Sequence, residues 1–254
     1  MRRSRRRAIL APADSSDRSC PVNETSPLRI YELAGADPDL RFSPHCWKTR
    51  MALAHKGLEA EGVPWRFTDK DVIAFTGQGL VPVLIDGSEC LHDSWRIALF
   101  LEERYPQRPS LFGGAAGLAL TRFCNAFADA TLVGPIARII VLDIFDRLHE
   151  KDRDYFRASR EKRFGMPLEE VAVDPEQKIA AFRALLAPLR LTLQQQPFLA
   201  GDAPAYADYC VFGMFMWARC VSPKELLASD DPVFAWRDRL LDAFGGFARN
   251  APSA

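Results

Sequence analysis

Ser43-Pro44-His45-Cys46 sets a hydroxyl, an imidazole and a thiol within four residues, just after a loop rich in Gly, Asp and Pro. Ser followed by Pro is a helix-start signal: the hydroxyl accepts an unpaired backbone N–H, and the ring presets φ for the first turn. Such a start is also electropositive, so it favours an anion such as a thiolate. Val81-Pro82 places a proline inside a strand-like run, where it lacks a ladder donor. Either the segment is an edge strand, or a cis peptide there leaves the N–H and C=O of Val81 free for a peptide-like ligand. Asp93-Ser94 forms a second helix start with the same two readings, a plain cap or an anion site. The four histidines (His45, His55, His92, His149) show no HExxH or zinc-finger spacing, so a metal site is not expected. The six cysteines include no CxxC pair, which reads as reduced thiols in a cytoplasmic protein.

These residues need a scaffold, and the pattern from Leu28 to about Gln107 supplies one. Leu28–Leu33 reads as a strand. A helix then runs from Ser43-Pro44 to about Lys56, with Trp47, Met51 and Ala54 on one face and Gly57 as its stop. Val63–Thr68 reads as a second strand, and Val81–His92 as a hairpin turning at Asp86-Gly87. The Asp93-Ser94 helix carries Ile97, Ala98, Leu101 and Tyr105 on its apolar face. Residues 108–117, with their Gly and Pro, form a linker. After Leu118 every period is helical: Phe123, Phe127 and Ala130 open a long helix that bends near Val133-Gly134-Pro135-Ile136. Phe182, Leu185, Leu186, Leu189 and Leu193 mark another, and Ala207–Ala218 is apolar on nearly every side, as a central buried helix must be. The expected architecture is an α/β domain over 27–107 followed by an all-α domain over 118–254.

Composition limits the function classes. Hydrophobic residues make up 48% of the 254, which excludes a mostly disordered chain. Lys plus Arg and Asp plus Glu both number 33, so the basic excess of a nucleic-acid binder is missing. Val133–Phe145 is broken by Arg138 and Asp143, and no apolar run is long enough to cross a bilayer. Residues 1–26 stand apart: six Arg against three acids, with no apolar period, read as a disordered Arg-rich extension.

The order of these features resembles the glutathione transferase superfamily: strand, Ser-Pro helix start, Val-Pro ahead of a hairpin, Asp-Ser cap, then a helical half. The resemblance spans about Leu28 to Phe244 and implies a thioredoxin-like N-terminal domain with glutathione as co-substrate. It assigns Ser43 to the glutathione sulfur, Val81 and Pro82 to the cysteinyl backbone, and Asp93 and Ser94 to the γ-glutamyl group. Within the superfamily the chain is most similar to bacterial glutathione-dependent β-aryl etherases and to related fungal-type transferases. The matching stretches are Ser43–Arg50, Val81-Pro82-Val83 and Asp93–Ala98, with Asp152–Tyr155, Ser159-Arg160-Glu161 and Ala207-Asp208-Tyr209 in the helical half. Two departures are visible: Arg41 stands where a small hydroxyl residue is expected, and the chain ends sooner than the etherases do.

Ser43-Pro44-His45-Cys46 looks like a glutaredoxin Cys-Pro-x-Cys whose nucleophilic Cys has become Ser. A hydroxyl cannot replace the thiolate in disulfide exchange, but it can donate a hydrogen bond to the thiolate of a bound thiol. The expected chemistry is therefore attack by an activated glutathione thiolate on an electrophilic carbon of an aromatic or apolar substrate. By the etherase resemblance that carbon is the β-position of an aryl ether. Phe123, Phe127 and Trp217 are candidate pocket residues. A homodimer follows by family analogy. Two alternatives stand beside this reading: a non-catalytic scaffold of the same fold, and a glutathionyl reductase working through Cys46.

Overall fold

The computed structural model describes residues 27–254, so the expected Arg-rich extension lies outside the described residues. A four-stranded sheet, ordered β2-β1-β3-β4, is built from β1 (Arg29–Leu33), β2 (Glu61–Trp65), β3 (Val83–Asp86) and β4 (Glu89–His92). β1 runs parallel to β2 and antiparallel to β3, and β3 is antiparallel to β4. Helices α1 (Pro44–Lys56) and α2 (Ser94–Arg104) complete this lobe, with a 3₁₀ turn at Asp71–Thr76. The second lobe is helical: α3 (Ala115–Phe127), α4 (Val133–Arg147), α5 (Glu150–Phe164), α6 (Leu168–Val171), α7 (Pro175–Leu185), α8 (Ala187–Leu193), α9 (Tyr206–Val221) and α10 (Pro232–Gly246).

α1 begins and ends as its sequence dictates. Pro44 is its first residue, and Gly57 adopts φ 62° at the C-cap, where the N–H of Leu58 closes on the carbonyl of Leu53 (3.0 Å). The second strand is displaced from its expected span, ending at Trp65. The N–H groups of Phe67 and Thr68 leave the sheet and donate to the Asp152 carboxylate on α5 (3.3 and 3.0 Å). Pro64 is tolerated because β2 is an edge strand. The hairpin turns at Gly87-Ser88 rather than Asp86-Gly87, since Asp86 is still paired with Glu89. Gly87 takes the positive φ that the turn needs.

The bend expected near Val133 is a π-helical turn, Ala128–Leu132, between α3 and α4. The helix expected across Phe182–Leu193 is two helices broken at Leu186. Pro188 can occupy the first turn of α8 but cannot continue α7, because it has no N–H to donate. α9 is buried along almost its whole length and packs against α1 and α3. Its closest approach falls at Gly213, where an added Cβ would sit 2.4 Å from the Pro44 carbonyl oxygen. The Asp208 carboxylate anchors the start of α9, accepting N–H groups from Leu199, Ala200, Ala205 and the Trp236 indole (2.7, 3.2, 3.1 and 2.8 Å). Ala205 supplies no side-chain oxygen, so this is half of a capping box, as the sequence indicates.

Candidate active site

Strand directions bring the motifs to one end of the sheet. β1 finishes there at Leu33, β3 starts there at Val83 beside Tyr31, and β4 finishes there with His92 opposite Val83. The N–H of Phe42 donates to the Leu33 carbonyl (3.2 Å), folding the loop after β1 back onto this end and delivering Ser43. Ser43, Pro82, Asp93 and Ser94, far apart in the chain, therefore share one edge, at which α1 and α2 both begin.

Ser43 caps α1: its Oγ accepts the N–H of Cys46 at 3.3 Å, leaving the hydroxyl proton to donate elsewhere. The Val81-Pro82 peptide is cis, the second of the two readings open to the sequence. The backbone N–H and C=O of Val81 make no hydrogen bond among the described residues. Asp93 caps α2 through Oδ1, which accepts the N–H groups of Trp95 and Arg96 (both 3.0 Å). It does so at φ 73°, a conformation costly for a residue with a Cβ and concentrated at ligand sites. The buried Ser94 is fixed from the other lobe, where the Tyr206 hydroxyl donates to its carbonyl at 2.7 Å.

Cys46 lies beneath the Ser43 cap, its thiol in reach of the Ser43 hydroxyl. It is wholly buried, and burial, assisted by Glu32, pushes its thiol up to about 12. An enclosed thiol held in its neutral form is a poor nucleophile, which speaks against the reductase alternative through Cys46. Its placement follows from α1 itself: three residues past the cap, the side chain falls on the face turned to the core.

Where α1 meets α3 and its π turn, the contact is polar. Lys48, fully buried on α1, donates from Nζ to Asp129 Oδ1 (2.6 Å) and to Asn125 Oδ1 (2.8 Å). His45 Nδ1 lies 3.9 Å from the same Asp129. Its pKa is pushed down to about 4, first by desolvation and then by the Lys48 ammonium, so the imidazole is neutral. Arg122 stacks over the Trp95 ring, 4.8 Å from its centroid. Arg122, Asn125 and Asp129 thus mark the side of α3 and its π turn that looks at the smaller lobe.

Phe123 sits about 100° round the helix from Arg122 and is 71% exposed, on a different face from these three. Phe127 and Trp217 are half-buried and packed against the core, Trp217 one turn beyond Gly213. Sequence reading chose the aromatics of α3 by their apolar period and passed over Lys48, Asn125 and Asp129. Their only linear signal was a polar spacing of four on α3, which a solvated face produces equally well. Among the described residues no group of His, Cys, Asp or Glu is placed to hold a metal ion. No helix there is long and apolar enough to cross a membrane.

A thioredoxin-like sheet joined to a helical lobe, with a Ser-capped helix and a cis-proline meeting at one end of the sheet, defines a two-lobed transferase architecture. Comparison with known proteins agrees. Residues 38–109 match the family model "Glutathione S-transferase, N-terminal domain" and residues 119–242 match "Glutathione S-transferase, C-terminal domain". Together these matches cover most of the chain, which belongs to the glutathione S-transferase family.

Among curated relatives, glutathione S-transferase Z1 of Arabidopsis thaliana is 38% identical over 69 residues, 25% of this chain and 31% of that protein. The chain thus matches about a third of that relative's length. Glutathione S-transferase-like protein ustS of Aspergillus flavus is 28% identical over 232 residues, 77% of this chain and 81% of that one. Among solved structures, glutathione transferase GSTFuA3 of Phanerochaete chrysosporium aligns with a TM-score of 0.71 at 25% identity, covering 88% of this chain and 94% of that one. CsGST63524 of Ceriporiopsis subvermispora, solved in complex with glutathione, has the same fold. Its TM-score is 0.75 at 24% identity, over 90% of this chain and all of that one.

Proposed function

We propose that this protein is a glutathione-dependent transferase in which the Ser43 hydroxyl activates the co-substrate thiol. Glutathione is the co-substrate that the family implies. Val81 would pair its free N–H and C=O with the cysteinyl backbone beside Pro82. Asp93, through the carboxylate oxygen not used as a cap, and Ser94 would hold the γ-glutamyl end. The sulfur then lies at the start of α1, where the Ser43 proton and the unpaired N–H groups both favour the anion. Lowering a thiol pKa from ~8.5 toward neutrality needs ~1.36 kcal/mol per unit. One charge-assisted hydrogen bond supplies about 1.5–3 kcal/mol.

The thiolate attacks an electrophilic carbon of an apolar or aromatic substrate, forming a C–S bond while the leaving group departs with its electron pair. The etherase resemblance makes that bond a β-aryl ether C–O and the leaving group a phenolate. The observation that carries the reading is the meeting of the Ser43 cap, the cis Val81-Pro82 peptide and the Asp93-Ser94 cap at one end of the sheet. A homodimer is part of the proposal: Leu120 and Phe123 expose an apolar strip on α3, one helical turn apart.

The test is incubation with glutathione and either 1-chloro-2,4-dinitrobenzene or a lignin-type β-aryl ether dimer, with thioether and free phenol resolved by chromatography. Thioether from both substrates supports the full reading. Thioether from the chloride alone removes the ether cleavage. Neither product, together with no calorimetric binding of glutathione, leaves the scaffold alternative.

A further inference from the structure

His45 is the second residue of α1, two places after the Ser43 cap, and its side chain is 42% exposed. The ring therefore stands in the first turn, at the mouth of the helix. A helix with its side chains is about 10–12 Å across, so a benzyl-sized group on a sulfur held at this mouth can reach it. Charged groups from three elements surround the ring. Lys48 lies one turn further along α1, Asp93 caps α2, and Asp129 comes from the π turn of the helical lobe.

The Asp129 carboxylate is fixed on both oxygens. Lys48 Nζ donates to Oδ1 (2.6 Å) and Asn125 Nδ2 to Oδ2 (3.0 Å). His45 Nδ1 faces the same Oδ1 at 3.9 Å. That is long for a hydrogen bond, but a carboxylate on this side favours the tautomer that carries its proton on Nδ1. Desolvation and the Lys48 ammonium keep the ring neutral. The approach to Asp129 is its one polar contact among the described residues, so Nε2 is left as a bare acceptor with no donor. A thiolate held by Ser43 has no proton to offer it. The donor must come from the other reactant.

We propose that His45 is a specificity-determining residue of the transferase site, its Nε2 accepting a hydrogen bond from a hydroxyl on the electrophile. The preferred substrates are then hydroxylated aromatics rather than purely apolar ones. A partner without the hydroxyl displaces water from Nε2 and leaves it unpaired, which is the basis of the preference. Asp129 is a positioning residue that acts through the imidazole. The assignment rests on the proposed function, because it needs the sulfur of the glutathione conjugate at Ser43.

The experiment measures calorimetric affinities of the full chain for S-benzylglutathione, its three ring-hydroxylated isomers and the matching methoxy compounds. One hydroxylated isomer should bind about three- to tenfold more tightly than S-benzylglutathione, and its methoxy counterpart, which cannot donate, should show no gain. His45→Phe should abolish the gain while keeping the affinity for S-benzylglutathione. His45→Gln, whose amide oxygen also accepts, should restore part of it. Equal affinities across the isomers, the same gain from a methoxy compound, or a gain that survives in His45→Phe would each overturn the assignment while leaving the proposed function standing. Failure of every conjugate to bind would overturn both.

Discussion

Replacing Ser43 with Ala tests the proposed chemistry through two separable losses. The oxygen caps α1 by accepting the Cys46 N–H, and losing a Ser cap costs about 0.5–2 kcal/mol of stability. In a domain of this size that lowers Tm by roughly 2–4 °C per kcal/mol, so the variant should remain folded at assay temperature. The second loss is chemical. Removing one charge-assisted hydrogen bond of about 1.5–3 kcal/mol raises the pKa of bound glutathione by roughly 1–2 units. Below that pKa less thiolate is present at any given pH, so turnover should fall about 10- to 100-fold. The deficit should shrink as pH rises and the thiol ionises unaided, while glutathione affinity changes little. Ultraviolet titration of the bound thiolate in both proteins reads the shift directly. The same thiol pKa in Ser43→Ala and wild type, or a deficit that does not vary with pH, would refute the activation argument even if turnover fell.

Cys46→Ala should retain full turnover, because the thiol is enclosed and protonated; loss of activity without loss of Tm would contradict this. Asp208→Ala leaves four N–H donors without their acceptor at the start of α9, and should cost about 3–5 kcal/mol in urea unfolding. His45 is held near 4, below its usual 6.5, so the unfolded chain takes up its proton first as pH falls. Its contribution to stability is therefore intact above about 6.5 and lost between 6.5 and 4, and His45→Gln should flatten the fall in Tm across that window. Phe123→Glu places a charge in the exposed apolar strip of α3 and should shift the proposed dimer toward monomer in sedimentation; an unchanged sedimentation coefficient would remove that strip from the proposed interface.

Features decided within a few residues were legible before any coordinates. The start and stop of α1 follow from Ser43, Pro44 and Gly57, the start of α2 from Asp93, and the enclosure of α9 from its unbroken apolar run. A cap, a preset φ or an all-round apolar helix carries its physical cause in the local chain. The end of β2 was not legible, because Phe67 and Thr68 give their N–H groups to Asp152, 84 or 85 positions away. Nor was the break at Leu186, although Pro188 was in view: apolar spacing continues through it, and only the missing N–H interrupts the helix.

The crevice divides the same way. The residue types proposed to hold and activate a thiol could be read from Ser43, Val81-Pro82 and Asp93-Ser94, since each motif has a local geometry of its own. Which side of α3 faces them could not, because a helix offers several faces and only the packing of α9 against α1 selects one. Burial is likewise a property of the assembled lobes. Lys48 and Arg41 look like any surface cations in the chain, yet one lies sealed against Asp129 and the other is buried beside Glu32. The chain therefore determined the local starts and stops of the helices. Tertiary structure decided which charges lose their water, because desolvation depends on neighbours brought together from distant parts of the sequence.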